Sequence, residues 1–162
     1  MVPEPDNRNA PVVVAGEIET SIAFLRYLRQ GVTGKLDGLT EDQARRPLVP
    51  SGTSVLGLVK HLTQVEAYWI QRRFAGLEVT LDRDSFSLGP HDTMASLLLA
   101  YRAAADRTDD IAITAADPER PLVLSTHGLT LRWALAHVTE ETARHAGHAD
   151  ILRELLDGAT GR

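Results

Sequence analysis

Four residues near the C-terminus have the types and spacing to bind a metal: His137, Glu141, His145 and His148. An α-helix turns about 100° per residue, so positions three and four apart stack on one face, and these four share a stripe if the segment is helical. The apolar residues Ala134, Val138, Leu152 and Leu155 fall on or beside the same stripe. The face that carries the imidazoles and the carboxylate is therefore the face expected to point inward. Buried carboxylates and imidazoles are costly unless paired or bound to an ion. Glu141 and His145, four apart, can place one oxygen and one nitrogen on a single ion, as paired histidines on a helix do in zinc sites.

A third ligand would have to come from another element, and His61 is the natural candidate. Two histidines and a glutamate make a three-ligand site with an open position, the arrangement of catalytic rather than structural zinc. The bland reading is that His137 and His148 are hydrogen-bonded boundary residues and Glu141 pairs with Arg144 or another basic residue. A lone histidine beside an apolar stripe, as His61 is, is more often a satisfied boundary residue than a ligand. Spacing by itself leaves open which of these residues bind.

Four helices would have to position these groups. The first is expected over 14 to 32, with Ile18, Ile22, Leu25 and Leu28 at helical spacing and Gly31 and Gly34 as stop signals. Thr40 can cap a single turn through Arg45 before Pro47 ends it. The second helix starts near Ser51 to Ser54, with Thr53 or Ser54 as N-cap, and runs to Phe74, with Val55, Leu58, Leu62, Val65 and Trp69 as its stripe and His61 at the edge. The third runs from an N-cap at Asp92 to about Ala112, and the fourth follows Thr130. Residues 76 to 90 form a long connection, and Ser125, Thr126 and His127 read first as capping and turn residues. The expected fold class is all-α, a four-helix bundle with long connections and almost no strand.

The chain has 162 residues, 43% of them hydrophobic and 24% charged, which fits one soluble domain over 14 to 158 behind a flexible lead over 1 to 13. No apolar run approaches the roughly 20 residues that span a bilayer, and the N-terminus lacks the pattern of a signal peptide, so a cytoplasmic protein without membrane contact is expected. The net charge of −5 with both signs interspersed argues against nucleic-acid binding. There are no cysteines, so any thiol in the chemistry must arrive with a substrate.

The segments VLGLVKHLTQVEAYWIQRRFAG and LRWALAHVTEETARHAGHADILRELLDG, with the pattern H-V-x-x-E-x-x-x-H-x-G-H-x-D-x-L-R-E in the second, resemble the DinB-like superfamily. Within it they resemble the actinobacterial branch that includes mycothiol-dependent S-transferases and maleylpyruvate isomerase. The resemblance spans essentially the whole chain. It implies a four-helix bundle, often dimeric, that holds a divalent metal through His61, Glu141 and His145. His137 and His148 would then orient a ligand or face the substrate. The implied activity is that of a metal-dependent thiol S-transferase, activating mycothiol as a metal-bound thiolate for addition to a small electrophile. Zinc is the expected ion, with nickel, iron and manganese also suited to these ligands, and a homodimer is the expected assembly. Arg132, Arg144 and Tyr68 are candidate substrate contacts. The competing readings are a non-catalytic metal- or small-molecule-binding module and a metal-dependent hydrolase with Glu140 or His148 as base.

Overall fold

A computed structural model describes residues 10–161, so most of the expected N-terminal lead lies outside the described residues. The structure is all-helical. It comprises α1 (Glu17–Gly34), α2 (Glu41–Arg45), α3 (Val55–Glu66), α4 (Met94–Ala115) and α5 (Leu131–Asp157), and α3 continues as a π-helical segment over Ala67–Phe74. Among the described residues the only β pairing is an isolated bridge between Pro121 and Thr130.

Local chemistry explains most of the boundaries. Thr40, Ser54 and Thr93 each accept a hydrogen bond from a backbone N–H in the first turn of the helix that follows, which satisfies a donor with no intrahelical partner. The N-cap of α4 is therefore Thr93 rather than Asp92, whose carboxylate turns back to Lys60 and the Gly89 N–H. The first helix begins three residues later than its pattern predicts. Val12 and Val14 stand in solvent, and Ile18 is the first residue to reach the core. The last helix ends at Gly158, whose φ of 76° gives a left-handed cap.

The long helices pack in a closed cycle, α1 against α4 and α5, and α3 against the same two. Two apolar clusters fill the interior. One gathers Val32, Leu36, Val55, Leu58, Leu62, Leu97, Tyr101 and Leu152, and the other Ile18, Ile22, Leu25, Val65, Ile70, Phe74, Leu131 and Val138. Between them runs a polar waist. On α5 it falls between Val138 and Ala149, and holds Glu141, Thr142 and His145; on α1 it holds Arg29, on α3 Glu66 and on α4 Asp109.

Arg29 grips both oxygens of Glu66 at 2.7 and 3.0 Å and Asp109 at 2.8 Å, while Arg26 takes the second Asp109 oxygen at 2.7 Å. Three of these groups are buried, and only because they are paired can charges sit at that depth. Burial disfavours the Arg29 charge, but Glu66 and Asp109 outweigh it and raise its pKa.

Two details of the expected apolar stripes are corrected. Trp69 does not continue the buried stripe of α3: the π-helical winding after Glu66 brings Ile70 and Phe74 into the core and leaves Trp69 half-buried. Leu155 is 57% exposed, and Leu156, four residues after Leu152, packs on the core in its place.

Candidate metal centre

α3 contributes His61 to the waist and α5 contributes Glu141 and His145, one turn apart. Nε2 of His61 and Nε2 of His145 each lie 3.4 Å from the same oxygen, Oε2 of Glu141. One ligand atom from each residue falls within 4.8 Å of the others, and no other group of three such side chains is found among the described residues. The two imidazoles meet edge to face, with ring centres 4.8 Å apart.

The contacts to Oε2 are longer than a good hydrogen bond. They match the roughly 3.4 Å edge of a tetrahedron whose metal–ligand bonds are about 2.1 Å. Protonation states favour the same use. Burial lowers the pKa of His61 despite its Glu141 partner. Burial, reinforced by the neighbouring His61, lowers that of His145 to about 4 against the pull of Glu141. Desolvation works to raise the Glu141 pKa, but the contact with His61 and the charge of Arg144 prevail and hold it below the usual range. At neutral pH the cluster therefore offers two neutral nitrogens and one ionised oxygen, the donor set that zinc and similar divalent ions take.

The other oxygen of Glu141 accepts from Arg144 at 2.9 Å, and Arg144 also pairs with Glu140 on the outside of α5. The pairing that a metal-free reading of Glu141 requires is thus present beside the cluster and leaves Oε2 free for it. The α5 stripe does not point inward throughout, contrary to the expectation from its pattern: His145 is buried, Glu141 and His137 are half-buried, and His148 is exposed. His148 Nδ1 lies 3.2 Å from His145 Nδ1. His137 stacks on Trp133 with ring centres 5.0 Å apart and meets Trp69 edge-on at 4.8 Å.

A cleft of about 330 Å³ opens beside the cluster, lined by His61, Glu141, Gln64, Tyr68, Trp69, His137 and, from the connection between α3 and α4, Asp82 and Ser85. The π-helical winding supplies Tyr68 and Trp69 to this wall. Tyr68 is thus where a substrate contact was expected. Arg132 is not, because it is engaged with Glu17 and Glu119 on the surface. Ser125 accepts hydrogen bonds from the N–H groups of His127 and Leu129, as a turn residue. A larger cavity of about 570 Å³ lies on the other side of the α3–α4 connection, by Arg45, Ser54 and Phe86, and contains no such ligand group.

Sequence reasoning did not single out Ser85 or Phe86. Ser85 Oγ lies 2.8 Å from His61 Nδ1, and the Phe86 ring stacks on the imidazole with centres 4.0 Å apart and planes 13° apart. No periodicity marks an irregular connection, and the useful signal was its excess length over a simple hairpin.

The sequence model of a family described as mycothiol-S-transferase matches residues 20–158. A comparison with curated proteins finds no match.

Proposed function

This chain belongs to the mycothiol S-transferase family, and on that premise we propose that it is a metal-dependent enzyme joining the sulfur of mycothiol to a small electrophile. The observation that carries the reading is the convergence of two neutral imidazoles on one oxygen of an ionised glutamate at the edge of an open cleft. A divalent ion held by His61, Glu141 and His145 would supply Lewis acidity and keep an arriving thiol in its nucleophilic thiolate form. The protein has no cysteine of its own, so the sulfur comes from the co-substrate.

The surrounding residues have distinct tasks. Arg144 holds Glu141 from outside, keeping the carboxylate ionised and its second oxygen directed at the histidines. Phe86 covers one face of the His61 ring. Gln64, Tyr68 and Asp82 line the cleft with groups able to hydrogen-bond a hydroxyl-rich co-substrate, while Trp69 and His137 offer it an aromatic wall. In the reaction a bond forms between the thiol sulfur and the electrophilic carbon while that carbon's bond to its leaving group breaks and the group departs with the electron pair, or, for an unsaturated electrophile, while its π bond opens; the thiol proton goes to solvent, to the leaving group or to the adduct. The fold in this reading is a DinB-like four-helix bundle acting as a cytoplasmic homodimer. Zinc is the native ion, with nickel, iron and manganese as its rivals.

The test is elemental analysis of untagged protein with His61→Ala and Glu141→Ala beside wild type, followed by conjugation of a bimane or chlorodinitrobenzene to a panel of thiols. About one ion per chain in wild type, a large loss in both variants, and turnover that requires mycothiol and the ion are expected. Tight thiol binding without turnover would make the protein a binding module. Hydrolysis of esters or amides without any thiol would make it a hydrolase.

A further inference from the structure

The connection between α3 and α4 touches His61 with two consecutive side chains, Ser85 at the ring edge and Phe86 on its face. Ser85 meets Nδ1, the nitrogen that the cluster does not use, while Nε2 of the same ring faces Glu141. A neutral imidazole carries one proton, and its position decides whether Nε2 presents a lone pair or an N–H. We propose that Ser85 is a positioning residue for the metal centre: its Oγ accepts a hydrogen bond from the Nδ1–H of His61, which fixes the ring plane and leaves the Nε2 lone pair directed at the ion. The inference rests on the metal-centre reading of the proposed function.

The connection is built to deliver this contact. Lys60, the neighbour of His61 on α3, binds Asp82 at 2.7 Å, Asp92 at 2.9 Å and the Ser87 carbonyl at 2.8 Å, so it clamps the connection on both sides of Ser85. Asp84 accepts from the N–H groups of Phe86 and Ser87, which closes the turn that presents the serine. Gly57, one turn before His61, lets the Phe86 carbonyl approach the helix: a Cβ there would sit 2.8 Å from that oxygen. None of these anchors touches the imidazole. Among the described residues Ser85 alone makes a polar contact from the connection to the ring, and Phe86 packs on the ring face beside it. Without an ion the Glu141 carboxylate draws the His61 proton to Nε2; ligation through Nε2 moves it to Nδ1, where Ser85 Oγ receives it. Partners of this kind on ligating histidines typically change metal affinity 10- to 100-fold.

The experiment uses full-length metal-free protein and zinc alone as the probe. Affinity is read by competition with a chelating dye, and the His61 Nδ1–H of the zinc-loaded protein by its ¹H resonance and its exchange with solvent. In zinc-loaded wild type that proton is expected to be hydrogen-bonded and slow to exchange. Ser85→Ala will weaken zinc binding about 10- to 100-fold and release the Nδ1–H to fast exchange, and Ser85→Thr, which keeps the hydroxyl, will restore both. A merely structural serine would leave the Nδ1–H signal unchanged. Zinc affinity equal to wild type in Ser85→Ala, or an Nδ1–H as protected as in wild type, overturns the assignment. His61→Ala separates the two levels of argument: if it too binds zinc as tightly as wild type, the metal centre itself is refuted. If His61→Ala loses zinc while Ser85→Ala does not, only the role of Ser85 falls.

Discussion

Replacing His145 with glutamine will change how the metal-free protein responds to acid, by an amount that follows from the surroundings of the ring. Its pKa falls from an ordinary 6.5 to about 4 because the ring is buried and faces His61. Below pH 6.5 the unfolded chain takes up a proton at this position that the folded chain refuses until about pH 4. A depressed histidine pKa thus contributes nothing to the pH dependence at pH 8 and destabilises the fold progressively through that window. At about 1.4 kcal/mol per unit, the loss reaches roughly 2 kcal/mol at pH 5 and roughly 3 kcal/mol at pH 4. Glutamine cannot take the proton, so the stability of the variant relative to wild type will rise by about 2 kcal/mol between pH 8 and pH 5. His61 acts in the same direction, since burial lowers its pKa as well and removing His145 relieves the repulsion between the rings. Urea unfolding of chelator-treated protein, followed by the fluorescence of Trp69 and Trp133, measures the difference. With slopes of about 1–3 kcal/mol per molar urea, the relative midpoint will move by about 1 M. A wild-type-to-variant difference that is the same at pH 8 and pH 5 would refute the reasoning, because it would mean that the ring is not desolvated.

Arg29→Met will cost about 3–5 kcal/mol in the same unfolding assay, since it strands the Glu66 and Asp109 carboxylates at depth; a loss below about 1 kcal/mol, the level of an exposed pair, would show that water reaches the network. Gly57→Ala will lower stability by about 1–3 kcal/mol, read as a fall of several degrees in Tm, because the new methyl meets the Phe86 carbonyl and the Ser54 hydroxyl; an unchanged Tm would mean that the connection yields freely.

The clustering of His61, Glu141 and His145 could be read from the chain because two of the three are local. Glu141 and His145 are one turn apart on a helix whose period is written in its apolar residues, and helical geometry alone brings them together. His61, 80 residues earlier, was nominated for its place beside an apolar stripe and by the family resemblance, and the packing of α3 on α5 brought it within 3.4 Å. The turn capped by Thr40 was legible for the same local reason, since a cap is chemistry between neighbours, while the next helix start was narrowed to Thr53 or Ser54 and the structure selects Ser54. The π-helical turn was not. Val65 and Trp69 have good α-helical spacing, and only competition for the core placed Ile70 inside and turned Trp69 to the cleft.

By itself, then, the sequence determined what repeats over a turn or two, the helices and the shared helical stripe of ligand types, together with the lack of any internal thiol. Tertiary structure alone decided the pairing of Arg29 with Glu66 and Asp109 and the reach of Ser85 to His61. These partners stand 24 to 80 residues apart. Many arginines and serines could serve such roles, and only the closure of the helices around the polar waist selects which ones do.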